Sequence, residues 1–300
     1  MMDFSRVGNK IQELRKYRGY TQKELAKDIC TQAQISKIEK GTIVPYSSTM
    51  FYIAERLGAS MYYFFEEALT DRSDYVRSVF SMLETCRFEH DYVSMRELLS
   101  REEDNPIFKI GYYEQYMLWH EAICAYELDN EPERALELAS SALDAYHKGI
   151  YTERKGEIIN AMAIIYNLEH EYRKAADICR KALQDHQSLL HPENKYIELK
   201  LTYTLTKALT YQGAYQQSID WCSKGIDRCI DLQNSYVLGE LLYQRGQNLL
   251  VLGFDEPALQ DWNQACSMFD TMKQIGLADH IRQEIDDYKK DGTIHLHTLQ

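Results

Sequence analysis

Between residues 130 and 270 the chain repeats one arrangement four times: charged or turn-forming residues, then a small residue, then an apolar helical stripe. The segments are EPERALELASSALDAY, EYRKAADICRKALQDH, AYQQSIDWCSKGIDRC and DEPALQDWNQACSMF, with Ala135, Ala175, Ser218 and Ala258 at the first buried turn. These small residues stand 40, 43 and 40 positions apart. A further helical stretch precedes each one: YYEQYMLWHEAICAYEL, RKGEIINAMAIIYNL, LKLTYTLTKALTYQG and YVLGELLYQRGQNLLVLG. One helix pair cannot bury its own apolar face, so a pair recurring at this period predicts stacking into a helical solenoid. Five prolines and 14 glycines in 300 residues, apolar residues three and four apart, and no sustained alternation predict an all-α chain.

The pairs resemble the tetratricopeptide repeat, with insertions that lengthen its usual unit of about 34 residues. The repeat domain is expected over 73–290, with 73–104 as a degenerate first repeat, GLADHIRQEIDDYKK as a capping helix and 291–300 as a tail. After Glu67, closely spaced short helices give way to longer pairs, which places a domain boundary near residue 70 and an N-terminal domain over 1–69. The stretch over 70–85 reads as a connecting helix shared with the first repeat, carrying Tyr75, Val76, Val79, Phe80 and Leu83 on one side.

Composition excludes several classes. The chain is 45% hydrophobic and 27% charged, enough for a large core. No run of about 18 apolar residues appears, and MMDFSRVGNK lacks the apolar centre of a secretory signal, so a cytoplasmic protein without membrane partners is expected. The seven cysteines are scattered, with no C-x-x-C pair and no Cys/His cluster at zinc spacing, and read as reduced, buried small hydrophobes. No metal is expected, even at His295 and His297 of the tail. There is no Gly-rich phosphate loop, no H-E-x-x-H and no G-x-S-x-G, and Glu102-Glu103 sits in a solvated run. The chain is therefore expected to be no enzyme, with no catalytic residues and no cofactor.

Charge is distributed unevenly. Residues 1–58 hold ten Lys+Arg against six Asp+Glu, whereas the rest holds 24 against 40. A basic front on an acidic body directs a polyanion to the N-terminal unit alone. Within it, Thr21-x-x-Glu24 and Thr31-x-x-Gln34 are capping boxes that start two short helices. Asp28-Ile29-Cys30 leaves a tight joint between them, and Gly41 with Pro45 supplies the stop. Leu25, Ala26 and Ile29 form the buried side of the first helix. On the second, Ile35 and Ile38 must point inward, while Gln32, Ala33, Ser36, Lys37 and Lys40 fall opposite on a face without acids. That is a helix-turn-helix, whose second helix enters the DNA major groove.

Gly8, Ile11, Leu14, Arg15, Thr21-Gln22, Leu25-Ala26, Ile35-Ser36-x-Ile38-Glu39-x-Gly41, Pro45 and IAERLGAS resemble the DNA-binding domain of the phage-repressor and xenobiotic-response class. That class commonly has a glycine in the joint, where Cys30 stands here. The resemblance implies phosphate contacts from Gln22, Lys23 and Lys40, and base-edge contacts from Gln32, Ala33 and Lys37, with Ser36 able to serve either role. Gln suits adenine, Lys guanine, and the Ala33 methyl a thymine methyl. One such helix reads few bases, so a homodimer on a pseudo-palindromic double-stranded site is expected.

A DNA-binding unit joined to tetratricopeptide-like repeats resembles the RRNPP class of bacterial regulators, which sense short re-imported signalling peptides in quorum sensing. Length, the shortened joint, YQRG at 243–246 and KAL at 207–209 are similar to its PlcR-like members. The resemblance implies a homodimer that binds a peptide on the concave face of its repeats and changes its DNA affinity or half-site geometry on doing so. Aligning the first helices of the pairs places His120, Asn160, Thr204 and Gln244 in one polar row. Such a row can hydrogen-bond an extended peptide backbone, or bond between neighbouring helices instead. The class clamps the peptide main chain with inward asparagines. Asn160 fits that pattern, whereas Thr204 stands where a second asparagine would be expected and offers only a hydroxyl. Lys200 and Asn167 fall on the same face and could select a peptide terminus or side chain. A competing reading is a DNA-binding repressor whose repeats recruit a protein partner and sense no peptide.

Overall fold

The structure, a computed structural model, describes residues 4–61, 63–64, 73–189, 192 and 194–292. Glu67 and the boundary expected near residue 70 lie outside the described residues, as do His295 and His297. Among the described residues the regular elements are fifteen α-helices and one 3-10 turn, with no strand. The chain divides into two compact units, Met1–Asp91 and Tyr92–Gln300.

In the first unit, helices α1 (Phe4–Tyr17), α2 (Gln22–Ala26), α3 (Gln32–Glu39) and α4 (Ser47–Leu57) surround one apolar cluster. Val7, Ile11, Leu25, Ile35, Met50 and Ile53 are fully buried there. Each such side chain stabilises the unit by roughly 1.5–3 kcal/mol. Both capping boxes form: the Thr21 and Thr31 hydroxyls accept from the amides of Glu24 and Gln34, whose side chains accept from the threonine amides in return. The joint turns at Asp28, whose φ of 61° places it in the left-handed region; Cys30 does not take that role. A short polar side chain such as aspartate tolerates this conformation better than most. Arg56, from α4, donates to the carbonyls of Glu24, Leu25 and Lys27 at the end of α2, where the helix itself supplies few donors. A Cβ on Gly8 would stand 2.1 Å from the Ile38 carbonyl oxygen, so only glycine lets α1 lie this close to α3.

Helix α5 (Ser73–Phe88) closes the first unit's sequence. Val76, Val79 and Leu83 are buried along it. Tyr75, expected on the same side, is exposed.

The second unit begins with α6 (Tyr92–Glu102) and a 3-10 turn (Pro106–Lys109). Four helix pairs follow: α7 (Gly111–Glu127) with α8 (Pro132–Ala145), α9 (Glu153–Leu168) with α10 (Tyr172–Gln187), α11 (Tyr196–Tyr211) with α12 (Tyr215–Asp231), and α13 (Leu238–Val251) with α14 (Asp255–Thr271). Helix α15 (Ile275–Asp291) covers the last pair, as expected of the capping segment. Ala135, Ala175, Ser218 and Ala258 are all fully buried.

The backbone carries the period as well. Asn130, His170, Gly213 and Gly253 adopt positive φ at the turn inside each pair, again 40, 43 and 40 residues apart. His90, 40 residues before Asn130, does the same. After His170, Gly213 and Gly253 the next amide bonds back five residues, to Tyr166, Leu209 and Leu249, which satisfies a carbonyl at the helix end.

Candidate functional site

In the first unit the face of α3 opposite Ile35 and Ile38 is open. Gln32, Ala33, Lys37 and Lys40 are exposed and Ser36 is half-buried; on α2, Lys23 is exposed and Gln22 half-buried. The one acid on α3, Glu39, points the other way and is 2% exposed. Its carboxylate accepts from Arg15 Nε at 2.6 Å and Nη2 at 3.1 Å, from Gln22 Nε2 at 2.8 Å and from Gln12 Nε2 at 3.3 Å. Burial opposes ionisation of Glu39, but the hydrogen bonds from Arg15, Gln22 and Gln12, with the Arg15 charge, hold its carboxyl below the ordinary carboxylate value.

That network sets the orientation of two candidate DNA contacts. A carboxylate only accepts, so Gln22 must turn its NH2 to Glu39 and present its oxygen outward. Gln32 Nε2 donates to that oxygen at 2.8 Å. Gln32 is left with its own oxygen and one N–H, the acceptor and donor that an adenine edge requires. Gln22 thus already serves as a strut beneath Gln32, a role that spacing along the chain did not suggest. Nor did it suggest the Arg15–Glu39 pair. The available signal was a charged residue four places from a buried isoleucine on each helix, Ile11 to Arg15 and Ile35 to Glu39.

In the second unit the first helices of successive pairs pack on one another, α9 on α11 most of all, while no comparable packing joins the second helices. In a curved stack the helices that approach each other are on the inner side. Here the polar candidates divide. Thr204 Oγ1 donates to Asn160 Oδ1 at 2.8 Å, and Asn167 Nδ2 donates to the Thr204 carbonyl at 3.1 Å. Asn160 and Asn167 of α9 therefore converge on Thr204 of α11. Asn160 is 8% exposed and its NH2 makes no hydrogen bond among the described residues. Lys200, one turn before Thr204, grips both oxygens of Glu157 at 2.8 and 2.9 Å.

His120 and Gln244 have a different setting. His120 is fully buried between the rings of Tyr116 and Trp119, with Nδ1 donating to the Tyr116 carbonyl at 2.8 Å. Gln244 is 1% exposed, and its Nε2 donates to Thr210 Oγ1 at 3.0 Å and to Gln247 Oε1 at 3.2 Å. It belongs to an interior network in which Thr210 donates to Asn248 at 3.0 Å and Asn248 donates to Ser218 at 2.8 Å. Thr206 shares in it, its carbonyl accepting from the Ser218 hydroxyl at 2.9 Å. These bonds tie α11, α12 and α13 together.

No group of three or more His, Cys, Asp or Glu suited to a metal occurs among the described residues, and none of their helices is long and apolar enough to cross a membrane. All seven cysteines are unpaired. Burial pushes every thiol up, Cys179 and Cys222 to about 12 and Cys229 to about 11.

A capped helix-turn-helix and a stack of helix pairs with a polar inner face define a two-part helical regulator. The RNPP family C-terminal domain matches residues 76–282 and a helix-turn-helix domain matches residues 8–69, and the chain belongs to the RNPP family. The family and fold are those of DNA-binding transcriptional regulators, not of enzymes. Among solved structures, the chain is similar in fold to Bacillus thuringiensis PlcR in complex with the peptide PapR7 and DNA, with TM-score 0.82, 23% identity, and coverage of 92% of this chain and 99% of that one. It is also similar to the Streptococcus dysgalactiae SHP pheromone receptor Rgg2, with TM-score 0.64, 16% identity, and coverage of 95% and 99%. ComR from S. thermophilus, in complex with DNA and its signalling peptide ComS, follows with TM-score 0.61, 15% identity, and coverage of 92% and 97%. A search of the curated proteins finds no match.

Proposed function

We propose that this chain is a cytoplasmic quorum-sensing regulator that binds a pseudo-palindromic DNA site as a homodimer and responds to a short re-imported signalling peptide. The observation that carries the reading is the convergence of Asn160 and Asn167 on Thr204 in the inner face of the repeats. Thr204 holds the Asn160 oxygen and leaves its NH2 available, so the amide is orientated to donate to a peptide carbonyl. PlcR and ComR, similar in fold, are each described in complex with DNA and a peptide.

In this reading residues 1–69 bind DNA. Lys37, Gln32 and Ala33 meet bases, Gln22, Lys23 and Lys40 meet phosphates, and Ser36 serves either role. The repeats over 73–290 hold the peptide, with Asn160, Asn167, Thr204 and Lys200 at its backbone and ends, and 70–85 connects the two parts. His120 and Gln244 support that face from within. Peptide changes DNA binding only by favouring one shape of the dimer over another.

Two variants test the division of labour. Lys37→Ala is expected to weaken DNA binding and relax its sequence preference while peptide affinity stays at wild type; Asn160→Ala is expected to do the reverse. Both are measured by DNA mobility shift and by native mass spectrometry against short peptides from the culture supernatant. Loss of both activities in both variants, with the fold intact, rules out two separate sites. A protein that retains no peptide but captures an intact protein partner would point to the recruiting repressor instead.

A further inference from the structure

Ten of the 16 positions of helix α11 are buried, because α9, α10, α12 and α13 pack around it. Apart from Glu198, which accepts from Arg228 at 2.8 Å, its openings are Tyr196, Lys200, Tyr203, Lys207 and Tyr211. Their spacings of four, three, four and four put them on one stripe of the helix. The stripe includes Lys200, beside the Asn160–Thr204 pair, and so runs along the inner face of the repeats.

Lysine 207 stands out within this stripe. Eight cations of the second unit are buried or half-buried among the described residues: Arg96, Arg154, Lys155, Arg180, Lys200, Lys207, Arg228 and Arg245. Seven have an oxygen partner. Arg96 meets Asp129, Arg180 Asp177, Lys200 Glu157, Arg228 Glu198 and Arg245 Asp261. Arg154 and Lys155 donate to the carbonyls of Tyr112 and His147. Lys207 alone has neither an ion pair nor a hydrogen bond among the described residues; its Nζ stands 5.3 Å from the centre of the Tyr203 ring. No carboxylate of the described residues pairs with it: Glu157 is held by Lys200, and Glu240 of α13 makes no ion pair there.

A half-buried ammonium without an anion is a cost to the folded chain, and burial accordingly lowers the affinity of Lys207 for its proton. A carboxylate arriving from outside would remove that cost. We infer that Lys207 is the receptor for a carboxylate of the peptide, in a subsite bounded by the Tyr203 ring and the stripe of α11. The inference rests on the peptide reading above. The carboxylate has two sources, the C-terminus or an Asp or Glu side chain. Helix α11 has 16 residues, about 24 Å, which an extended peptide of about seven residues spans.

The test uses the full-length protein and three synthetic pools of peptides of about seven residues. One pool has a free C-terminal carboxylate and no Asp or Glu; the second is the same but amidated; the third is amidated with a single Asp or Glu. Native mass spectrometry compares retention by the wild type, Lys207→Met and Lys207→Arg. The wild type is expected to retain the first or third pool at least about tenfold over the second. Lys207→Met should lose that excess and Lys207→Arg keep it, with tryptophan fluorescence unchanged in both. Excess in the first pool assigns the C-terminus, and excess in the third a side chain. Equal retention of all three pools by the wild type, or an excess that survives in Lys207→Met, overturns the carboxylate subsite while leaving peptide binding in place. No retention of any pool by the wild type overturns the peptide reading, and this inference with it.

Discussion

Replacing Glu39 by alanine tests the link between the core of the first unit and the exposed face of α3. The carboxylate side chain is 0% exposed and that of Arg15 9%, with Nε and Oε1 2.6 Å apart. Removing one partner of a buried pair leaves an uncompensated charge, which costs about 3–5 kcal/mol. Arg15 keeps one bond, Nη1 to the Tyr20 carbonyl at 2.7 Å, which favours the lower end of that range. The three tryptophans, Trp119, Trp221 and Trp262, all lie in the second unit, so their fluorescence reports that unit alone. Hydrogen exchange of α1 and α3 reports the first. Glu39→Ala is expected to speed the slowest α3 amides by at least about a hundredfold and to leave the tryptophan transition in place. The double variant Arg15→Met with Glu39→Leu should exchange more slowly than either Arg15→Met or Glu39→Ala, because it leaves no orphaned charge.

The same pair predicts a pH dependence. Glu39 has a lowered pKa in the folded state, so its stabilisation is fully present above the unfolded value near 4.5 and is lost as pH falls through the folded one. A Glu39→Ala protein with α3 exchange within about threefold of wild type would refute the buried-pair argument.

Other positions give sharper local tests. Gly8→Ala pushes a methyl against the Ile38 carbonyl, which is backbone and cannot rotate away; a loss of about 1–3 kcal/mol is expected, read by exchange in α1 and α3. Asn248→Ala removes the acceptor of Thr210 and the donor to Ser218 at a fully buried position, and should lower second-unit stability by about 1–3 kcal/mol in a urea titration followed by tryptophan fluorescence. Thiol labelling at pH 8 should reach the half-buried Cys30 and Cys86 first and leave Cys179 and Cys222 unmodified until the chain unfolds. Rapid labelling of Cys222 in the native protein, located by peptide mapping, would contradict its burial.

Much of this architecture is written locally. A threonine three places before Glu24 or Gln34 fixes where a helix begins, since the bonds involved span three residues. Isoleucines three apart turn α3 so that Gln32 and Lys37 face outward, whatever lies beneath. Small residues 40 and 43 apart similarly announced the repeat, because helices can stack closely only where side chains are small. The joint shows the limit of such reasoning. Its left-handed residue is Asp28, and a pattern that compares residue types does not reveal which φ each one adopts.

The polar row shows what sequence could not decide. Aligning the repeats put Asn160, Thr204 and Gln244 in one polar row, yet Asn160 bonds across to the next repeat while Gln244 sinks into a network behind it. Periodicity assigns a residue to a face of its own helix, but in a solenoid each helix has neighbours on several sides. Whether a polar face meets solvent, a groove or another polar side chain depends on how closely those neighbours approach. By itself the sequence determined an all-helical chain, the period of its pairs and the outward, acid-free face of α3. The tertiary structure alone decided that Glu39 is buried under Arg15 and that Lys207 has no oxygen partner among the described residues, since both depend on residues far away in the chain meeting, or failing to meet, across helices.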